Sequence, residues 1–255
     1  MHIDYGRYRV ELGPLSEGIY SGVSWTGDGY PAWQMFADEL ERLLCFARDE
    51  GVLEMYRTEL RGRANQRDSA IEELRVAYLL NQKGFRVQQW RPVGLSPREG
   101  EFQVCGADNQ PIFVEVKSPG WESELSQEER LTGRLAEPKY RATEASFADG
   151  GSSVIFAIDK AYPKFDPQQR NLLVVADDLF FPLEFQSSLA ARNALYWDDG
   201  KFTDRRYENL AGVGFLEKKQ SSDTVWSEMK LFLNPYAGTP LPESIIAAFG
   251  GVMLE

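Results

Sequence analysis

The chain has 255 residues, 43% hydrophobic and 26% charged, so it can bury either one large domain or a core with substantial additions. Against 39 acidic residues stand 28 lysines and arginines, a formal charge of −11; a chain-wide basic footprint for nucleic acid is excluded, and either any phosphate contact comes from a local patch or the substrate is not a long duplex. The single histidine, His2, sits at a terminus expected to be mobile, which excludes a Ser-His-Asp triad, a Cys-His pair and a histidine-ligated zinc or nuclease site.

No phosphate-cradling Gly-x-x-x-x-Gly-Lys-Ser/Thr loop and no Gly-x-Gly-x-x-Gly fingerprint occurs. Cys45 and Cys105 are too few for a disulfide framework or a zinc cluster, which points to a reducing compartment. The first residues lack the apolar core of a signal peptide, and no apolar run reaches membrane-spanning length. The expectation is a soluble, cytoplasmic protein with no membrane partner. If it is an enzyme, carboxylate-and-metal chemistry is what remains.

In chain order, residues 1–30 read as short strands and turns, with Tyr8 to Leu12 alternating and Gly13-Pro14 as punctuation. Pro31 opens a helix carried by Met35, Leu40, Leu43, Leu44 and Ala47, and Gly51 ends it. A second helix runs from Val52 to about Arg63. Its basic run of Arg57, Arg61, Arg63 and Arg67 reads first as a solvated face balanced by Glu54 and Glu59, and only second as a phosphate-contacting patch.

The next helix, Ser69 to Gln82, is expected to be capped by Asp68 or Ser69, with Glu72 and Glu73 in its first turn, where carboxylates suit the helix dipole. Glu73 shares a face with Ala77 and Leu80, whereas Glu72 lies about 100° round the helix. After Gly84 a strand from Phe85 to Trp90 and a loop from Pro92 to Gly100 follow.

Two strands then carry the densest chemistry. Alternation sends Phe102 and Val104 to a core and leaves Glu101, Gln103 and Cys105 opposite; after a turn at Gly106 to Asn109, Ile112, Val114 and Val116 face the core while Glu115 and Lys117 stand together. Glu101 can therefore converge on Glu115. Hard divalent cations such as Mg²⁺ take oxygen ligands, usually one or two carboxylates with water and phosphate completing the shell.

From Gly120 to Gly151 the chain is polar and charged, and reads equally as a lid over a site or as a surface loop; Lys139 and Arg141 within it are candidate substrate contacts. Ser152 or Ser153 is expected to cap a helix through Val154, Ile158 and Ala161 that ends near Pro163, with Lys160 a further candidate phosphate contact, more simply an exposed lysine. The run NLLVVA, Asn171 to Ala176, reads as a buried central strand reached by a right-handed crossover. A helix between Leu179 and Trp197, a turn at Asp198-Asp199, strands at Gly212 to Glu217 and Val225 to Leu233, and a short helix from Glu243 to Phe249 complete the reading.

Glu73 in a helix, the Gly84-Phe85 turn, Glu101, and Glu115-Val116-Lys117 follow one another in an order that resembles the core of the PD-(D/E)xK nuclease superfamily, the restriction-endonuclease-like fold. The likeness covers roughly Ser69 to Asp177 and departs from the family pattern in placing Glu101 where Asp is usual. It implies an α/β fold with a restriction-endonuclease-like mixed central sheet flanked by helices. Around that core, residues 1–68 are expected to form a helical N-terminal addition and residues 178–255 a C-terminal strand extension. It also implies Mg²⁺ or Mn²⁺ held by Glu101, Glu115 and the Val116 carbonyl, with Glu73 in the outer ligand sphere. Lys117 would position water or stabilise charge during phosphodiester hydrolysis. The implied partner is nucleic acid, DNA in preference to RNA, and a homodimer is compatible with this reading. Two alternatives stand beside it: a catalytically lapsed scaffold of the same fold that binds a protein partner, and an unrelated α/β domain in which Glu101, Glu115 and Lys117 form a plain cross-strand salt-bridge ladder.

Overall fold

The computed structural model describes residues 2–5, 8–21, 34–62, 64–91, 101–118, 147–176, 184–221 and 223–253. These divide into two compact units. The first takes in Met1–Tyr78 and Lys218–Trp226; the second takes in Leu79–Pro119, Ala145–Glu217 and Ser227–Glu255.

The first unit opens on an antiparallel pair, β1 (His2–Tyr5) and β2 (Tyr8–Glu11), in which His2 pairs with Glu11. The terminus expected to be mobile is thus held in a strand ladder. A helix then begins where only turns were expected: α1 (Pro14–Tyr20) has proline in its first turn, where the missing N–H costs nothing. Its next amides are capped from outside, since the Leu15 and Ser16 N–H groups each donate to the Glu41 carboxylate at 2.9 Å and the Ser16 hydroxyl adds a bond of 2.7 Å. Gly13 is required by this contact, because a Cβ there would stand 2.4 Å from Glu41 Cδ.

Glu41 belongs to α2 (Gln34–Asp49), whose Phe36, Leu40, Leu43, Leu44 and Ala47 are buried at helical spacing. After it comes α3 (Leu53–Leu60), with Arg57 paired to Glu54 on an exposed face. Arg67 departs from that solvated reading and is buried; Arg63 lies outside the described residues.

The next helix, α4 (Ala64–Gln82), starts five residues before the expected Ser69. Asp68 and Ser69 therefore lie within the helix, and Glu72 and Glu73 are not in its first turn. The capping expectation failed because α4 is buried almost all round from Ala70 to Leu80, and a helix enclosed in this way is set by packing more than by its polar start signals. Its buried charge is matched: Arg75 donates Nε and Nη2 to the two oxygens of Glu39 at 2.8 Å each and Nη1 to Glu72 Oε1, on which Lys218 Nζ also converges at 2.8 Å.

The second unit is built on a six-stranded mixed sheet of β3 (Arg86–Trp90), β4 (Phe102–Cys105), β5 (Pro111–Lys117), β6 (Asn171–Ala176), β7 (Gly212–Gln220) and β8 (Val225–Leu233), lying in that order. The first three pair antiparallel, and β5, β6 and β7 pair parallel. Every residue of β6 is buried, as its unbroken apolar sequence requires of a central strand. The turn expected before β5 forms, with Asn109 in the left-handed region at φ 54°. Cys105, expected to share the open face with Glu101, is instead buried, and burial raises the pKa of its thiol.

Helix α5 (Phe147–Ala161) crosses from β5 to β6 and also begins five residues before the expected Ser152. It packs with α6 (Glu184–Tyr196) over one face of the sheet, where Val154, Ile158, Ala191 and Leu195 meet Leu173, Val175, Val213 and Phe215. The last helix is α7 (Glu243–Phe249), as expected, with Phe249 stacked on Phe85 at 6.5 Å. At the two margins of the sheet, β3 leaves Arg86, Gln88 and Gln89 exposed, while β8 is met by Val252, which exchanges backbone bonds with Leu231 and Leu233 at 2.8 and 3.0 Å.

Replacing Arg75 with Ala takes the guanidinium from both oxygens of buried Glu39 and leaves Glu72 with Lys218, and should destabilise the protein by about 3–5 kcal/mol, read from the midpoint of urea unfolding. A loss under about 1 kcal/mol would mean that Glu39 and Glu72 find other cations or water.

Candidate functional site

Strand register brings the acidic residues of β4 and β5 together. Phe102 pairs with Val114, so one residue further along Glu101 lies across from Glu115, and the Glu101 N–H donates to the Val114 carbonyl at 2.8 Å. On the other side of β5, Glu115 registers with Leu173 and Lys117 with Val175. In-register neighbours point to the same face of a sheet, so Glu115 and Lys117 belong to the face covered by α5 and α6. A solvated Glu-x-Lys face would leave both side chains in water. Glu115 is instead completely enclosed, with 0% of its side chain exposed.

Two ammonium groups meet that enclosed carboxylate. Lys117 Nζ contacts Glu115 Oε1 and stands 4.0 Å from Glu101 Oε1; Lys164 Nζ reaches the same Glu115 Oε1 at 2.5 Å. The other oxygen, Glu115 Oε2, has no hydrogen-bond partner. An isolated buried carboxylate loses several kcal/mol of solvation. Both lysines offset that loss at one oxygen and leave the second exposed to the penalty. The cost falls unevenly on Lys164 too: its own burial acts to lower its pKa, but the bond to Glu115, the charge of Glu115 and that of Glu101 together raise it.

The donor chemistry suits a hard cation. Among the described residues no three His, Cys, Asp or Glu side chains gather as a metal cage; a cation here would have two carboxylates, Glu101 and Glu115, the rest of its shell being left to water or phosphate. An unpartnered carboxylate oxygen with no access to bulk water is the specific feature that a cation would satisfy. Val116, whose carbonyl the resemblance assigns to the same cation, lies between Glu115 and Lys117 on β5 with its side chain buried.

The structure thus brings together Glu101, Glu115 and Lys117. Glu73 lies in the first unit, buried within α4 at 8% exposure. Lys160 is exposed on α5, its Nζ 4.2 Å above the Phe156 ring. Lys139 and Arg141 fall outside the described residues. The residue missed from sequence is Lys164. Its signal was Pro163: proline ends α5 and opens a single 3-10 turn, Tyr162–Lys164, which delivers the lysine back toward β5. A second enclosed acid of this sheet face, Glu217 on β7, is paired with Lys230 at 3.3 Å.

No protein-family model, curated protein or solved structure matches the chain.

A double-mutant cycle between Lys164→Met and Glu115→Gln should give a coupling of about 1–2 kcal/mol. It should fall short of a fully buried pair because the Lys164 side chain is 36% exposed. Additive losses within a few tenths of a kcal/mol would show the two side chains to be independent in solution.

Proposed function

We propose that the protein is a metal-dependent nuclease of the PD-(D/E)xK type, hydrolysing phosphodiester bonds of nucleic acid, DNA in preference to RNA, on a restriction-endonuclease-like core. The observation that carries this reading is Glu115: enclosed, bound to lysine through one oxygen, bare at the other, and across the strand pair from Glu101. The order of α4, three antiparallel strands, α5 and the parallel strand β6 supports it, since the acidic strand and the Glu-x-Lys strand are neighbours in a mixed sheet. A plain salt-bridge ladder on a solvated face fits poorly, because ladders of that kind do not enclose their carboxylate.

In this reading Glu101, Glu115 and the Val116 carbonyl hold Mg²⁺ or Mn²⁺. An ion held there would supply Lewis-acid chemistry, activating water and offsetting phosphate charge. Lys117 does the rest of the electrostatic work: set between the two carboxylates, its ammonium orients the attacking water or stabilises charge developing on the phosphate. The longer Glu101 in place of aspartate reaches the same carboxylate function with one more methylene. The place of Glu73 in this scheme rests on the resemblance alone, as do the contacts assigned to Lys139, Arg141 and Lys160. With a chain charge of −11, nucleic acid must be met through a local basic surface, and saturating salt would abolish binding early.

The second reading is a lapsed scaffold with a protein partner, favoured by the same acidity and by the fact that two lysines already neutralise much of Glu115 without metal. Three variants separate the two. Lys117→Ala should leave divalent-metal binding intact yet reduce cleavage about 10²–10³-fold, because its charge acts on the transition state. Glu115→Ala should lose metal binding and cleavage together. Glu101→Asp should cleave at least as well as wild type. If wild type cleaves neither single- nor double-stranded DNA or RNA with metal while Glu101→Asp does, the scaffold reading replaces the nuclease. Absence of both metal binding and cleavage in all of them removes it altogether.

A further inference from the structure

We propose that Lys164 is a built-in stand-in for the divalent cation: it occupies Glu115 in the metal-free protein and is displaced when the cation binds, so that it sets how much metal the site requires. The inference rests on the metal-dependent reading above and adds to it a competitor that the Glu-x-Lys pattern does not contain.

The two lysines on Glu115 are not equivalent. Lys117 is fixed to the same strand two residues away, is 24% exposed, and faces Glu101 as well as Glu115. It has nowhere to withdraw without leaving both carboxylates. Lys164 comes from another element, the turn after α5, is 36% exposed, and its ion pair is with Glu115. A lysine on a four-carbon stem can trade one such contact for water at small cost.

Charge decides the direction of exchange. Glu101 and Glu115 carry two negative charges, Lys117 and Lys164 two positive ones, so the four side chains sum to zero. A divalent cation entering that cluster meets no net attraction and the field of a second ammonium 2.5 Å from its would-be ligand. Once Lys164 leaves, the remaining three sum to −1 and Lys117 alone still holds Oε1. Occupancy of Glu115 by Lys164 and by the cation are therefore opposed, and the opposition is reciprocal by linkage. The bare Oε2 gives the cation a first foothold while Lys164 still holds Oε1.

The test uses the full chain without substrate. Calorimetric titration with Mn²⁺ should show Lys164→Met binding the ion about 5- to 100-fold more tightly than wild type, with Lys164→Arg, which keeps the charge, close to wild type. A second measurement needs no variant: amine acetylation read by mass spectrometry should rise several-fold at Lys164 when saturating Mg²⁺ is added, while exposed Lys83 stays constant. Equal or weaker Mn²⁺ binding by Lys164→Met, or Lys164 acetylation indifferent to Mg²⁺, overturns the proposal. If those results accompany Mn²⁺ binding and Lys117-dependent cleavage, the nuclease reading survives and the exchange alone fails. If neither wild type nor Lys164→Met binds Mn²⁺, both fail.

Discussion

Enclosing the Glu115 carboxylate is the constraint on which the site depends. A carboxylate with no exposed surface is tolerated only where opposite charge is delivered to it. That requirement reaches into three separate parts of the chain. The β4–β5 register must bring Glu101 opposite, β5 must keep strict alternation so that Lys117 emerges on the same face, and α5 must stop at Pro163 for Lys164 to arrive. A one-residue slip of β5 would put Val116 in the charged pocket and turn Glu115 into the apolar face that Ile112 and Val114 fill in the native register, a far larger penalty than any loop adjustment.

The first unit holds a second solution to the same problem. Arg75 gives both oxygens of Glu39 a partner through a planar fork, the geometry in which a guanidinium matches a carboxylate most fully. Glu115 receives two point-like ammonium groups on one oxygen and none on the other. The arginine pair is closed, while the lysine cluster keeps an open valence. Net charge conceals this difference: a chain of −11 nonetheless concentrates two lysines against one carboxylate where the chemistry is proposed.

Much of the second unit was legible because strands advertise themselves through period two. β6 and β8 begin and end where the sequence places them, and the charged pair on β5 follows from alternation alone. Helix starts were the weaker part. Both α4 and α5 begin five residues early, since Asp68, Ser69, Ser152 and Ser153 imitate caps but lie inside helices held by their surroundings or by their packing on the sheet. The α1 helix was hidden for the opposite reason: its cap comes from Glu41, a residue over twenty positions away that no local pattern reveals. Lys164 escaped by the same logic, being tied to Glu115 across 49 positions with only a proline to hint at the turn. The family resemblance names Glu101, Glu115 and Lys117 by their order, but order carries no trace of a lysine supplied by a crossover.

The margins of the sheet bear on how the protein keeps to itself. A strand arriving from another chain would need a row of free backbone groups on a flat edge. Along β8 the Leu231 carbonyl and the Leu233 N–H are already taken by Val252, so the far end of that strand is closed to such a partner. Along β3 the row is short, carries a register irregularity between Val87 and Gln89, and presents the exposed polar side chains of Arg86, Gln88 and Gln89. Removing Val252 would therefore open the Leu231–Leu233 end of the β8 edge to strand addition from a second chain.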